Sequence, residues 1–343
     1  LGNLLQLTYS LVDTRIVGSF LGEDALAAVG ATSTLSGLII GFLLGLSNGF
    51  AIITAQKFGA KNIADMKKSF AMSLVIGTGI SILFTIAGLL FLKPILHFLN
   101  VPKHLVPVAK GYIAIIIAGL LATFLYDACA ATLRAIGDAV TPLIILAISV
   151  ALNIVGDLFF VVVLKTGVKG AAIATVLAQI IAFVICWIYM IRKYEILRLQ
   201  KEDFKDPSPI MVKEMISAGM SMGFMSSLVN IGTLTLQTAI NKLGKDIIIA
   251  HTAARKISEI FMIMFSVFGQ TMATYCGQNM GAGKIDRVKR GIWLAIVYTA
   301  IWSGLTIIAS YTIGGWLVYL VTGSHNKTCL LYTSPSPRDG ATS

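Results

Sequence analysis

An all-α fold that crosses a membrane many times is what this sequence predicts, and three observations predict it. Only 13% of the 343 residues are charged while 56% are hydrophobic, against about 25% charged in ordinary soluble domains. The apolar residues gather in runs of some twenty or more, roughly the length a helix needs to span the hydrocarbon core at 1.5 Å per residue. Most Lys and Arg residues fall in the short stretches between those runs.

Nine spans follow in order, at residues 1–20, 27–56, 69–92, 111–133, 142–164, 168–191, 212–241, 247–276 and 291–321. Orientation comes from the charges between them. The loops after the second, fourth, sixth and eighth spans, with their span edges, hold 15 basic residues from Lys57 to Arg290, and the opposite loops hold 7. The positive-inside rule therefore puts the first group in the cytoplasm. A net charge of +11 distributed this way reflects membrane orientation and not a phosphate-binding face, so no nucleic-acid partner is expected.

The chain also repeats itself. Displaced by 222 residues without a gap, Leu21-Gly22 falls on Leu243-Gly244, Asp24 on Asp246, Gln56 on Gln278, Gly59-Ala60 on Gly281-Ala282 and Lys67 on Lys289. In all, 12 of the 48 positions from 21 to 68 are identical. Span two thus corresponds to span eight. An offset of six spans keeps both copies in one orientation, as in parallel repeats related by an axis along the membrane normal. The expected organisation is a six-helix lobe at 1–195, a cytoplasmic linker at 196–211, marked by Pro207 and Pro209, and three spans of a second lobe at 212–323. The chain begins without Met inside an apolar run, and CLLYTSPSPRD breaks sharply from what precedes it, so 329–343 reads as a non-native tail.

Within the runs a few polar groups stand out. Asn153 and Asp157 lie four apart, on one face of a helix. A carboxylate persists at membrane depth chiefly where it faces protein or a water-filled cavity and performs a task. Asp13, Asp127 and Glu259 are the other acids well inside spans. Cys129, Cys186, Cys276 and Cys329 have no CxxC spacing, and His97, His104, His251 and His325 are scattered. Neither set reads as a metal site, and no cofactor is expected.

Several segments together carry a resemblance. They are NLLQLTYSLVDTRIVGSFLGEDALAAVG at the start, TAQKFGAK after span two, LRAIGDAVTP after span four, LNIVGDLFFV and GVKGAAIATVLAQ in spans five and six, and GQNMGAGK in the second half. From residue 1 to about 323 the chain resembles the multidrug and toxic compound extrusion (MATE) transporters. The resemblance implies twelve spans in two lobes, alternating access, and export of organic cations driven by inward flow of protons or sodium ions. It further implies a monomer in the cell's inner (plasma) membrane, with small organic cations as its partners and no enzymatic activity.

In that family a carboxylate of the first span joins an Asn and an Asp of the fifth and a Thr of the sixth in a cation site. The matching residues here are Asp13, Asn153, Asp157 and Thr175. Their chemistry suits either ion: a hard cation takes oxygen ligands, and two adjacent carboxyls can share a proton that loads and unloads. Asp127 stands where the family more often has an amide. Asn48 and Gln270 occupy equivalent repeat positions, and Asn230 and Gln237 lie inside span seven, which makes these five candidates for additional polar lining. Two other readings remain at this stage, a flippase for lipid-linked saccharides and an integral-membrane enzyme acting on lipids. The first expects cationic cavity positions and the second a clustered acid or His–Asp pair, and neither pattern is present in the sequence.

Overall fold

The helix α7 (Val140–Asp157) shows how side chains are sorted throughout the fold. Val140, Ile144, Ile148, Leu152 and Val155 form an exposed apolar stripe. The opposite stripe of Thr141, Ile145, Ser149, Asn153 and Asp157 is buried. This inverts the soluble pattern, because lipid solvates the apolar face and the polar groups find partners only in the protein interior.

The computed structural model describes residues 12–13, 15–99, 101–240 and 245–322. Among these, every regular element is helical. A helical segment α1 covers 15–21. There follow α2 (Glu23–Gly59), α3 (Ile63–Leu90), the short α4 (Leu92–Phe98), α5 (Val106–Ala118) and α6 (Leu120–Ala135). Beyond α7 come α8 (Val168–Lys193), two 3₁₀ turns in the linker, α9 (Pro209–Ile240), α10 (Lys245–Gly281) and α11 (Ile285–Thr322). Six helices among the described residues are long and apolar enough to cross a membrane, or seven when α5 and α6 are counted as one bent span. Of the nine expected spans, most of the first lies outside the described residues. The seventh, α9, forms as a helix but is not among the six; its many Gly, Ser and Asn residues dilute its apolar character.

The helices divide into two compact units, one comprising residues up to Asn230 together with Gly277–Gly283, the other Ile231–Cys276 with Lys284 onward. The first unit has three buried clusters. One joins α2, α3 and α5 with Met211 and Met215 at the start of α9. The second packs Met66, Phe70, Cys129, Cys186 and Met190 against Leu197 of the linker, so the linker is seated on the bundle and does not hang free. The third lies beside α1 and α8 and surrounds the site described below. Gly45 and Gly49 of α2 meet Ala218, Gly219 and the Met222–Gly223 backbone of α9 so closely that a Cβ would come within 2.4–2.8 Å of those atoms. Small residues permit this approach, which replaces the hydrophobic drive absent between helices in lipid.

The second unit holds the end of α9 from Ile231, α10 as far as Cys276, and α11. Trp302 donates its indole N–H to Phe261 O at 3.0 Å, Phe268 stacks on Tyr298, and Tyr275 donates to Arg287 O at 3.3 Å. Glu259 is neutralised along its own helix by Arg255 at 3.4 Å, as four-residue spacing allows.

The GDAVTP segment between α6 and α7 forms a polar tie. Asp138 Oδ1 accepts from Thr141 N at 3.0 Å and Oδ2 from the Thr141 and Tyr194 hydroxyls, each at 2.7 Å. Lys193 stands 3.6 Å away. Asp138 thus caps the first turn of α7 and binds it to the end of α8. Burial by itself would push the Asp138 carboxyl up, but the Tyr194 and Thr141 hydrogen bonds and the Lys193 charge outweigh it and hold it below its ordinary value of 3.8. Burial and the bond to Asp138 push the Tyr194 hydroxyl up, so it remains a donor at neutral pH. A depressed carboxyl stabilises the fold above its ordinary value and loses that contribution as pH falls through its folded value. Asp138→Asn is therefore expected to cost about 1–3 kcal/mol at pH 7, measured by thermal unfolding in detergent. The gap to the wild type should close as pH falls below the ordinary carboxylate value.

Candidate functional site

Three local features bring Asp13 and Asp157 together. The first is a change of helix type: α7 ends at Asp157, and Leu158–Val163 continue as a π-helix, with Leu164 N donating to Phe159 O at 2.9 Å. Such turns are rare and concentrate at functional sites. The second is Gly156, where a Cβ would stand 3.0 Å from the Ala174 Cβ, so α7 and α8 approach closely beside Asp157 and Thr175. The third is the 42° bend between α5 and α6 at Gly119, which has no side chain to keep Val176 away. Ile16 and Val17 of α1 then pack with Val161 of the π-helix and with Val168 and Ala171 of α8.

The Asp13 and Asp157 carboxyls face one another within hydrogen-bonding reach. Asp13 is 8% exposed, Asn153 3% and Asp157 0%. An ionised carboxylate is an acceptor only, so two carboxyls in this contact need a proton or a cation between them. The Oδ1 atom of each is buried without a hydrogen-bond partner. Leaving such an atom unsatisfied is costly, and these two oxygens mark where an exchangeable charge would be held.

Asn153 connects Asp157 to α8. The amide orientation that satisfies its surroundings directs its nitrogen to Asp157 Oδ2 at 3.2 Å and its oxygen to Thr175 N at 3.1 Å and Thr175 Oγ1 at 3.2 Å. Thr175 Oγ1 also lies 3.1 Å from Ala171 O. One turn along α7, Ser149 donates to Ala178 O at 3.3 Å. The four residues singled out from the sequence therefore lie together, with Asn153 and Thr175 fixing the Asp157 carboxyl from behind.

Tyr112 of α5 escaped the sequence reading. It packs on the cluster that holds the pair, and its hydroxyl lies in the field of both carboxyls. A lone Tyr in an apolar run reads as packing or an interfacial anchor. Nothing in its spacing connects it to Asp13 or Asp157, so only the tertiary fold reveals it.

The additional polar candidates lie elsewhere. Asp127 makes neither a hydrogen bond nor an ion pair among the described residues, and the charge acting on it is that of Arg134. Arg134 donates to Asn48 Oδ1 at 3.1 Å. Asn230 bonds back to Ser226 O at 3.0 Å within its own helix. Gln270 is half-buried in the second unit, and the side chain of Gln237 lies outside the described residues. No group of three metal-ligating side chains occurs among the described residues.

The MatE family profile matches residues 1–159 and 221–332. The chain is 32% identical over 292 residues to the probable multidrug resistance protein YpnP of Bacillus subtilis, covering 84% of this chain and 64% of that protein. It is 28% identical over 348 residues to the probable multidrug resistance protein YoeA of the same organism, covering 97% and 71%. The chain thus spans roughly two thirds of the length of these relatives. A crystal structure of MATE in the bent conformation superposes with a TM-score of 0.87 at 21% identity, over 97% of this chain and 74% of that one. An outward-facing multidrug resistance MATE family transporter of the MOP superfamily gives 0.86 at 21%, over 97% and 73%. At that identity the two structures speak for the fold alone.

The close approach at Gly156 provides a structural test of the site. Gly156→Leu is expected to force α7 from α8, at a cost of about 1–3 kcal/mol for overpacking, read as a lower unfolding temperature in detergent. Gly30→Leu, at a position with open space around its Cα, should leave that temperature unchanged.

Proposed function

The chain belongs to the MatE family, whose members are transporters and not enzymes, and on that premise we propose that it is a secondary active antiporter of the inner (plasma) membrane. Its cargo is cationic organic compounds, expelled by alternating access between a lobe at 1–195 and a second lobe entered at 212, with the linker 196–211 on the cytoplasmic side. It works as a monomer. The observation that carries this reading is the buried Asp13–Asp157 pair, two acids within hydrogen-bonding reach in a bundle whose outer faces are apolar.

The coupling ion neutralises that pair. Asp13 comes from the first span and Asp157 from the fifth, so the charge between them decides whether α1 is drawn to or repelled from the π turn. With Asn153 turned nitrogen-first to Asp157 and its oxygen occupied by Thr175, the pocket presents two unpartnered carboxylate oxygens and little else for a hard cation. A shared proton fits that arrangement. Sodium wants more oxygen ligands and would require the Asn153 amide to turn over and present its carbonyl. Protons are therefore the coupling ion that this arrangement favours, with sodium as the alternative that this single rotation would serve. The polarity of the site counts against a carrier of pyrophosphate-linked saccharides, since the buried charges are acidic.

Everted vesicles carrying the protein test this, with uptake of a fluorescent cationic dye followed under separate proton and sodium gradients. Uptake driven by the proton gradient is expected, reduced roughly tenfold or more by Asp157→Asn, because an intramembrane carboxylate that couples cannot be replaced by a neutral amide. Uptake driven by sodium alone would reassign the ion. Undiminished uptake in the variant would remove Asp157 from the coupling site.

A further inference from the structure

The apolar outer stripe of α8 ends on a charge. Leu177, Ile181, Val184 and Ile188 are exposed along one side of that helix, at the spacing of a single helical face. Arg192 continues the row into the last turn. Around it Ile185, Ile188, Tyr189, Arg192 and Lys193 line an open groove of about 550 Å³, a size that suits a small ligand or a headgroup. The groove is apolar towards the middle of the span and basic towards its end, on the side that the positive-inside rule assigns to the cytoplasm.

The basic residues at this end differ in what already holds them. The Lys193 ammonium stands 3.6 Å from Asp138, donates to the Tyr189 hydroxyl, and lies 4.9 Å from the centroid of the Tyr189 ring and 5.2 Å from that of Tyr194. Tyr189 is itself held, with its hydroxyl 3.1 Å from Thr141 Oγ1. Two walls of the groove are thereby fixed by the same tie that binds α7 to α8. Arg198 is engaged by Glu195 at 3.8 Å and by Ile191 O at 2.7 Å. Arg192 is exposed and makes neither a hydrogen bond nor an ion pair among the described residues. With Asp138 offsetting Lys193, the lining of the groove carries one positive charge without a counter-charge.

We propose that this groove binds an anionic glycerophospholipid of the phosphatidylglycerol type, with its phosphodiester on the Arg192 guanidinium and an acyl chain along Ile188, Val184 and Ile181. A guanidinium presents paired N–H donors that match two phosphate oxygens, and one phosphodiester carries the single negative charge that balances Arg192. The apolar stripe is continuous with the groove, so the chain stays in lipid while the headgroup sits at the end of the span, where Tyr rings favour the interface. A zwitterionic lipid would bring its own cation towards Lys193, and the charge pattern selects against it. Basic pockets beside spans on the cytoplasmic side are the kind of place where anionic headgroups are held. Lipid binding here is independent of which cargo the protein carries and which ion drives it.

Native mass spectrometry of the purified full chain tests this, with phosphatidylglycerol and phosphatidylcholine of identical acyl chains added in detergent. Phosphatidylglycerol is expected to be retained several-fold more than phosphatidylcholine. Arg192→Gln should lower retention of the first phosphatidylglycerol at least several-fold, and Arg192→Lys should keep part of it. Lys201→Gln, at an exposed basic position of the linker on the same side, should leave it unchanged. A ligand bound only by the folded protein also raises its unfolding temperature, so phosphatidylglycerol should raise that of the wild type and not that of Arg192→Gln. Equal retention of the two lipids by the wild type would overturn the proposal, whether or not the variants fold. So would undiminished retention in Arg192→Gln, or an equal loss in Lys201→Gln, which would mean diffuse attraction to basic residues. The same rise in unfolding temperature with inorganic phosphate alone would overturn the lipid as occupant and leave an anion site.

Discussion

The contact between the Asp13 and Asp157 carboxyls is the constraint on which the first unit depends. Two acids cannot remain in an apolar bundle unless something neutralises the charge and the remaining lone pairs have partners. The surrounding structure supplies those conditions in part. Asn153 and Thr175 secure one carboxyl from behind, the π-helix after Asp157 sets its angle, and α1 brings the other to meet it. What the protein withholds is a partner for the two Oδ1 atoms, where the proposed coupling ion would be held.

The same logic accounts for the sorting of side chains along each helix. On α7 the lipid face is continuous Val, Ile and Leu while the protein face carries Thr141, Ser149, Asn153 and Asp157. Hydrogen bonds at either end give that polar face a direction. At one end Asp138, Thr141, Tyr194 and Lys193 tie α7 to α8 with charges open to water, and at the other Asn153 and Thr175 tie the same two helices around the buried acid. The α7–α8 pair is thereby tied at one end by the Asp138 carboxylate and at the other around the Asp157 carboxyl. The first is kept ionised by its donors, and the second faces Asp13, the contact on which the proposed coupling rests.

Much of this was legible in the sequence, for identifiable reasons. Long apolar runs and loop charges follow directly from the solvent properties of lipid, so the helices among the described residues could be read from the sequence, although α3 and α11 each begin six residues before the expected spans. Asn153 and Asp157 stood out because polar groups are rare in such runs and four-residue spacing places them on one face. The 222-residue repeat identified Gln56, Gly59, Gln278 and Gly281 as equivalents, but equivalence does not imply contact, and the approach of Gly59 to Gln278 and of Gly281 to Gln56 required the fold. Tyr112 was invisible because an aromatic in an apolar run has several roles and only packing selects one. The π-helix after Asp157 left no mark, since LFFVVV is as apolar as any other stretch of span. Asp127 drew attention as an acid in a span, and its surroundings are those of Arg134, not of the Asp13–Asp157 pair.

Two carboxyls that share an exchangeable proton must give it up when cargo drives the cycle, because binding of one ligand changes affinity for the other reciprocally. The most direct measurement is proton release from the purified protein in weakly buffered detergent solution, followed with a pH indicator as a cationic dye is added. A proton released with dye binding in the wild type, and no release in Asp157→Asn with dye still bound, is the result this account predicts. Release of the same size in the variant would contradict it, since the proton would then come from groups other than the Asp13–Asp157 pair.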